Sequence, residues 1–146
     1  MNRTSPTAEQ KQELAARAMS ARAAAYAPYS RFPVGAAILA ADGRIFSGCN
    51  VENLSFGATI CAERTAAVKA VSEGATRFAA IAVISLQETP CLPCGICRQF
   101  LSEFAGPDMP LLACRADGSF QEFRFGEILP HAFQTDIIDR GGTPCE

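Results

Sequence analysis

The sequence predicts an α/β fold in which helices pack on both faces of a sheet. Helical and strand-like apolar patterns alternate along the chain, and the segment 78–86 is apolar on both alternating faces, which is typical of a central strand. The chain has 146 residues, of which 49% are hydrophobic and 19% charged, so its length suits one domain with an apolar core. We expect a single domain over residues 1–146, with a polar tail from about residue 134.

The first predicted element is a helix. Thr7 and Gln10 have the spacing of a capping box, in which each side chain bonds to the backbone N–H of the other residue. Apolar residues then recur at helical spacing from Leu14 onward, until Pro28 stops the pattern. The pattern therefore predicts a helix that begins near Thr7 and ends before Pro28.

Two strands are predicted next. The run 34–39 is continuously apolar and strand-like. Asp42-Gly43 is suited to a tight turn and leads into a second strand over 44–51. We expect these two strands to pair as a hairpin.

Two further helices carry the chemically distinctive residues. A loop over 52–59 leads to a helix that starts near Cys61 and that Gly74 can end. Another helix is predicted from about Cys94 to Phe104. The remaining strands are predicted over 78–86, 110–115 and 119–125, the last two joined by the turn Asp117-Gly118.

Three cysteines and one glutamate give the clearest functional signal. Cys61 precedes Glu63 by two positions, and the run Pro93-Cys94-Gly95-Ile96-Cys97 follows further along the chain. Cys94 and Cys97 are three residues apart at a helix start, so they share a face and can bind one ion together with Cys61. Three thiolates leave the fourth position of a tetrahedral zinc site open for water, and Glu63 is placed to move the protons of that water. The sequence thus predicts a catalytic centre with one zinc ion per chain.

The charge of this centre requires compensation. Three thiolates around a divalent zinc leave one net negative charge, which makes a bound water less acidic than in a site of neutral histidines. Arg64, next to Glu63, is predicted to donate to the sulfurs and offset that charge, and Arg98 is a second candidate. A surface salt bridge is the alternative role for either arginine.

Two other metal sites are alternatives. Cys91, Cys94 and Cys97 are spaced like the start of an iron–sulfur motif, but position 101 is leucine where that motif has its fourth cysteine. A purely structural zinc would need a fourth protein ligand. The candidates for it are Cys49, Cys91, Cys114, Cys145 and the only histidine, His131. As free cysteines, Cys49, Cys91 and Cys114 are also typical of small buried side chains.

Several blocks of sequence extend this pattern. They are Tyr29-Ser30-Arg31-Phe32-Pro33-Val34-Gly35-Ala36-Ala37, Gly48-Cys49-Asn50-Val51-Glu52-Asn53, Cys61-Ala62-Glu63-Arg64-Thr65-Ala66, Pro93-Cys94-Gly95-Ile96-Cys97-Arg98-Gln99 and Leu129-Pro130. In these blocks the chain resembles the homotetrameric cytidine deaminases along most of its length. The resemblance implies a three-layer α/β/α sandwich with a mixed five-stranded sheet. It also implies zinc-dependent hydrolytic deamination of cytidine and deoxycytidine in pyrimidine salvage.

The resemblance implies roles for further residues. Asn50 and Glu52 would hold the ribose 3′-hydroxyl, and an amide and a carboxylate two residues apart on a strand end do point the same way. Phe32 would stack on the pyrimidine, and the backbone of Ala62 would meet the ring carbonyl. Glu63 would take a proton from the attacking water and pass it to N3 of the base. Turn chemistry is the alternative for Asn50 and Glu52, and core packing is the alternative for Phe32.

Two aromatic residues bear on the sugar and on assembly. Phe56 stands where many relatives carry tyrosine, so the phenol hydroxyl that would reach the sugar 5′-oxygen is absent. Tetramers of the family complete each active site with residues from neighbouring subunits, and Phe133 matches an aromatic residue used in that way. The resemblance therefore implies a homotetramer, with a core or tail contact as the alternative role of Phe133.

Composition and charge limit the choice of partner and location. A formal charge of -2 and a pI near 5.5 give no broad basic surface, which argues against nucleic acid and favours a small, weakly charged substrate. Seven cysteines are an odd number, and no apolar signal core follows the first residues, so we expect a cytoplasmic protein. No stretch is long enough to span a membrane. A different amine substrate, such as an aminonucleoside of the blasticidin type, and a non-enzymatic structural zinc protein remain the alternative functions.

Overall fold

A computed structural model of the chain describes residues 5–133, which form a five-stranded sheet with helices on both faces. In chain order the elements are α1 (Ala8–Arg22), β1 (Gly35–Ala40), β2 (Ile45–Cys49), α2 (Ala62–Ser72), β3 (Phe78–Ile84), α3 (Gly95–Leu101), β4 (Pro110–Cys114), β5 (Phe120–Arg124) and α4 (Phe125–Ile128). A single 3₁₀ turn, Phe56–Ala58, lies between β2 and α2. The predicted α/β/α sandwich is confirmed, whereas the predicted polar tail from about residue 134 lies outside the described residues.

The sheet is mixed, with the order β2-β1-β3-β4-β5. β1 pairs antiparallel with both β2 and β3, β3 pairs parallel with β4, and β4 pairs antiparallel with β5. The predicted hairpin of β1 and β2 is confirmed, with Gly43 in the left-handed conformation at its turn (φ 92°). The prediction that β3 lies mid-sheet is also confirmed.

Alternate residues of β1 face opposite layers, as strand geometry requires. Ala36 and Ile38 lie in one apolar cluster with residues of α2, while Ala37 and Leu39 lie in the other cluster with residues of α1. Leu101 of α3 belongs to the same cluster as α2. Consequently α2 and α3, which follow the two cysteine motifs, share one face of the sheet.

The first helix is shorter than its apolar pattern predicts. The capping box of Thr7 and Gln10 is present, but α1 ends at Arg22 rather than near Pro28. Past its end the backbone of Tyr26 pairs with the segment 50–52, directly after β2, since Tyr26 N donates to Asn50 O at 3.0 Å and Glu52 N donates to Tyr26 O at 2.8 Å. These long-range bonds replace the helical ones.

Two other boundaries also differ from the sequence patterns. The predicted helix to Phe104 ends at Leu101, and Phe104 O instead accepts a hydrogen bond from Phe78 N at the start of β3. β5 ends at Arg124, where α4 begins with the next residue, Phe125. Arg124 N donates to Glu127 Oε2 at 2.7 Å, and this capping bond stabilises the helix start. None of the helices within 5–133 is long and apolar enough to cross a membrane.

Two glycines let the helices approach the sheet closely, one on each face. A Cβ on Gly35 would lie 1.9 Å from Ala18 O of α1, and a Cβ on Gly48 would lie 2.6 Å from Ala66 N of α2. Both clashes would be with backbone atoms, which cannot rotate away. The short distance between each helix and the sheet therefore depends on glycine, which has no Cβ, at positions 35 and 48.

We expect Gly35→Ala to lower the free energy of unfolding by at least about 3 kcal/mol, because α1 would have to move away from the sheet. Denaturant unfolding measures the change. The control is Gly57→Ala, since a Cβ at that position meets nothing within 4 Å in this chain. A Gly35→Ala variant as stable as the control would contradict the close packing of α1 on β1.

Candidate metal centre

The three predicted cysteine ligands come together at the starts of two helices. Cys61 is the N-cap of α2 and Cys94 is the N-cap of α3, each with extended backbone. Neither sulfur accepts a capping hydrogen bond from the backbone of its own helix, so both can face a common point. The partial positive charge of a helix N-terminus stabilises a nearby thiolate.

The spacing of the sulfurs fits zinc. The Sγ atoms of Cys61, Cys94 and Cys97 all lie within 4.8 Å of one another, and those of Cys61 and Cys94 are 3.8 Å apart. Zn–S bonds of about 2.3 Å in a tetrahedron place two sulfurs about 3.8 Å apart. The side chains are thus already arranged as three ligands of a tetrahedral ion.

Within residues 5–133, no fourth cysteine, histidine or carboxylate joins the group. Cys49, Cys91, Cys114 and His131 are therefore not ligands in this arrangement, and Cys145 lies outside the described residues. Cys91 and Cys114 are buried, as predicted for small core side chains, whereas Cys49 is half-buried. Since Cys91 stays out of the cluster, the arrangement does not favour the iron–sulfur or the four-ligand structural site.

The thiols of Cys61 and Cys97 differ in acidity. A hydrogen bond with Cys97, helped by contacts with Arg64 and Cys94, lowers the pKa of Cys61 to about 5. The pKa of Cys97 is raised, because its thiol shares that hydrogen bond and is buried. The lowered pKa of Cys61 favours its thiolate form, which is the form that binds a cation.

Arg64 provides positive charge beside the sulfurs. Its Nη2 donates to Cys61 Sγ at 3.7 Å and to Thr59 O at 3.2 Å. Its Nε is buried and has no hydrogen-bond partner among the described residues. This placement is the one expected of a group that offsets the negative charge of the thiolates.

Glu63 lies directly behind the sulfurs in the first turn of α2. Its side chain is buried, and Oε2 lies 3.8 Å from Cys97 Sγ. Burial raises the pKa of Glu63 to about 7, since a charged carboxylate is disfavoured away from water. A carboxyl group with this pKa can both accept and donate a proton near neutral pH.

Asn50 and Glu52 form a second group of polar side chains. Asn50 Oδ1 accepts from Val34 N at 2.8 Å and Asn50 Nδ2 donates to Phe32 O at 2.9 Å. Glu52 Oε1 accepts from the backbone N–H groups of Tyr29 (2.9 Å) and Ser30 (3.0 Å). Both side chains thereby fix the loop 29–34, which carries Phe32. Hydrogen bonds from Ser30 and Tyr29 keep the pKa of Glu52 below its usual value.

A short ladder connects this second group to the metal centre. Val51 N donates to Ile60 O at 2.9 Å, and Ile60 N donates to Val51 O at 3.0 Å. Val51 lies between Asn50 and Glu52, and Ile60 immediately precedes Cys61. The predicted sugar-contacting residues are therefore held next to the first metal ligand.

The remaining predicted residues lie around these two groups. Ala62 is the first residue of α2 and is buried, and its backbone N–H has no acceptor within the helix. Phe32 is 37% exposed, Phe56 is 72% exposed and Phe133 is 75% exposed. Phe56 packs edge-on against Tyr29, with ring centroids 5.7 Å apart.

Arg98 does not occupy the place that the sequence suggested. It donates to the carbonyls of Pro93 and Ile128, each at 2.8 Å, and no hydrogen bond joins it to a sulfur of the described residues. The next residue, Gln99, donates to Phe133 O at 3.1 Å. Sequence reasoning missed these contacts and the bracing of loop 29–34, because a backbone carbonyl or N–H leaves no trace in residue type.

Comparisons with known proteins agree with this site. Residues 8–113 match the family model described as the cytidine and deoxycytidylate deaminase zinc-binding region. A cytidine deaminase of Sporosarcina psychrophila is 47% identical over 127 residues, covering 87% of this chain and 93% of that protein. A cytidine deaminase of Halalkalibacterium halodurans is 46% identical over 129 residues, covering 88% and 98%. The crystal structure of cytidine deaminase from Burkholderia pseudomallei superposes with a TM-score of 0.80 at 43% identity, covering 88% of this chain and 100% of that one.

Proposed function

The chain belongs to the cytidine and deoxycytidylate deaminase family, and we propose that its three-cysteine centre and Glu63 carry the reaction. The reaction is the zinc-dependent hydrolysis of cytidine or deoxycytidine to uridine or deoxyuridine and ammonia. The observation that carries this conclusion is the buried carboxyl of Glu63, 3.8 Å from one of three sulfurs that are already spaced for zinc.

Cys61, Cys94 and Cys97 would hold the metal. When bound, zinc supplies a Lewis acid that lets water act as a nucleophile near neutral pH. Arg64 lies against Cys61 Sγ and reduces the negative charge that three thiolates would otherwise place on the site. Arg64 would thereby preserve the Lewis acidity that bound zinc needs to activate water.

Glu63 moves the protons. The water oxygen bonds to C4 of the base, one proton passes through Glu63 to N3, and a second passes to the amino group. The C4–N4 bond then breaks, the former water oxygen becomes the C4 carbonyl, N3 keeps its proton in the neutral uracil ring, and ammonia leaves. The carboxyl must accept and donate in turn, and a pKa raised to about 7 by burial suits both roles.

Asn50 and Glu52 would read the sugar. A carboxamide has two donors and two acceptor lone pairs, so Asn50 keeps one of each after its bonds to Phe32 and Val34. Among the described residues, Oε2 of Glu52 accepts no hydrogen bond. The pair can therefore bind a ribose 3′-hydroxyl without releasing the loop that it fixes.

Phe32 and Ala62 would position the base. The ring of Phe32 is partly exposed on the loop that Asn50 fixes, so one face is available for stacking on a pyrimidine. The free backbone N–H at the start of α2, on Ala62, can donate to the ring carbonyl. These contacts would set C4 at the metal centre.

We propose further that the protein is a homotetramer whose subunits complete one another's sites. Several large apolar side chains are exposed in a single chain. The most exposed are Leu54, Phe56, Ile96 and Phe133, each more than two-thirds exposed. Solvent-exposed aromatic and aliphatic groups of this size are typical of a protein interface. Phe56 and Phe133 would contact the site of a neighbouring subunit.

The cellular role we propose is pyrimidine salvage in the cytoplasm, without nucleic-acid partners. Metal capture requires reduced thiols, and a net charge of -2 offers no attraction for a polyanion. A structural zinc protein is not favoured, because the described residues supply only three ligands. A different amine substrate is not favoured either, because relatives matched over most of their length are cytidine deaminases.

Glu63→Gln should abolish most turnover while leaving the metal in place. The amide cannot accept the water proton, so we expect kcat to fall about 100- to 10,000-fold. The loss of ultraviolet absorbance of cytidine measures turnover, and zinc analysis of the same samples measures occupancy. Turnover near the wild-type rate in zinc-loaded Glu63→Gln would disprove the role of Glu63. No turnover by zinc-loaded wild-type protein would disprove the function.

Asn50→Asp separates loop positioning from sugar recognition. The new oxygen would face Phe32 O across about the present 2.9 Å and repel it. We expect kcat/KM to fall about tenfold with 3′-deoxycytidine, which has no 3′-hydroxyl, and further with cytidine. The control Asn53→Asp keeps its bond from Ser55 N, so its activity should be unchanged. An undiminished rate with 3′-deoxycytidine would contradict the positioning role, and equal losses on both substrates would contradict the sugar contact.

Mixed subunits test the assembly. Sedimentation equilibrium should give four times the 15.5 kDa chain mass. Tetramers of Phe133→Ala chains alone should be impaired. Mixed tetramers with inactive Glu63→Gln chains should regain activity. In them a Phe133→Ala chain supplies Glu63, and a neighbouring Glu63→Gln chain supplies Phe133 to the same site. A monomeric active enzyme would disprove the tetramer. Absence of restoration, with hybrid assembly verified by mass, would instead place Phe133 in the site of its own chain.

A further inference from the structure

Arg98 holds both peptide groups that flank the metal ligand Cys94. Its side-chain Nε donates to Pro93 O at 2.8 Å, which is the carbonyl preceding Cys94. The backbone N–H at position 98 makes the first helical bond of α3, to Cys94 O at 3.0 Å, and this bond does not depend on the arginine side chain. Its Nη1 also donates to Ile128 O at 2.8 Å, at the end of α4. One side chain thus connects the segment just before α3, which carries Cys94, to the end of α4.

These bonds fix the direction of the Cys94 side chain. A peptide group is planar, so holding the Pro93 carbonyl also holds the N and Cα atoms of Cys94. Holding the Cys94 carbonyl restrains the other side of the same Cα. With both sides restrained, the Cα–Cβ bond has little freedom to turn.

Cys94 needs this restraint more than the other two ligands do. Cys97 is fully buried and Cys61 is half-buried, whereas Cys94 is exposed and is followed by exposed Gly95 and Ile96. Side-chain packing therefore does little to position Cys94. Its sulfur nevertheless lies 3.8 Å from Cys61 Sγ, the spacing that a shared zinc ion requires.

We propose that Arg98 is a positioning residue for the metal: it presets Cys94 as the third ligand by anchoring the Pro93 carbonyl to the end of α4. This inference rests on the proposed zinc function. The planar guanidinium offers five N–H donors in a rigid fork, which lets one side chain meet two carbonyls in different directions. A lysine ammonium is a single point of donation and cannot reproduce both bonds with the same geometry.

The test compares Arg98→Met, Arg98→Lys and wild type, with Arg17→Met as the matched control. Arg17 is an exposed arginine whose ion pair with Glu13 spans 3.9 Å on the surface of α1. Zinc transfer to a chromogenic chelator measures how firmly the metal is held. The visible and near-ultraviolet spectrum of the cobalt(II)-substituted protein reports the number and geometry of the thiolate ligands.

We expect Arg98→Met to release zinc about tenfold faster than wild type and to alter the cobalt–thiolate bands, because Cys94 is no longer preset. Arg98→Lys should be intermediate, and Arg17→Met should match wild type. If Arg98→Met does not fold, the zinc release and the cobalt spectrum of Arg98→Lys test the proposal.

An unaltered cobalt spectrum in the folded Arg98 variants would overturn the inference, even if their thermal stability fell. Loss of the Ile128 contact alone would weaken the fold without moving Cys94, so only the spectrum separates positioning from general stabilisation. Absence of cobalt–thiolate bands in wild type would instead overturn the metal assignment on which the inference rests.

Discussion

The convergence of two helix N-termini on three sulfurs is the arrangement on which the site depends. Three sulfurs within 4.8 Å would repel one another as thiolates, and the positive ends of α2 and α3 and the guanidinium of Arg64 are placed to offset that repulsion. The helices can meet in this way because both pack on the same face of the sheet. Gly48, whose missing side chain lets α2 lie directly on β2, contributes to the same geometry.

The buried position of Glu63 follows from the same packing. α2 begins at Ala62, so its second residue, Glu63, is directed from the helix start towards the sulfurs and away from water. Burial raises the pKa of the carboxyl to about 7, into the range where it can exchange protons at physiological pH. One helix start therefore positions both Cys61 and Glu63, the proposed proton carrier, while α3 positions the other two cysteines.

Backbone hydrogen bonds from side chains connect the irregular segments to this rigid centre. Asn50 and Glu52 hold the loop 29–34, and Arg98 holds the loop before α3. In each case a polar side chain from a defined position satisfies carbonyl or N–H groups that the loop cannot satisfy itself. The residues predicted to contact the sugar thus also hold the loop that carries Phe32, and Arg98 of α3 acts through backbone carbonyls.

The sequence by itself determined the chemistry and most of the architecture. Cysteine spacing indicates the three residues that could hold a metal, and the nearby glutamate indicates the proposed proton carrier. Apolar periodicity and Asp-Gly turns indicate the order of strands and helices along the chain, because these signals are local. Tertiary structure alone decided where α1 ends, since Tyr26 leaves the helix for bonds to Asn50 and Glu52. It also decided that Arg98 reaches two carbonyls while Arg64 reaches a sulfur. Both arginines look alike in sequence, and their roles differ because a hydrogen-bond partner distant along the chain is set by packing, not by local pattern.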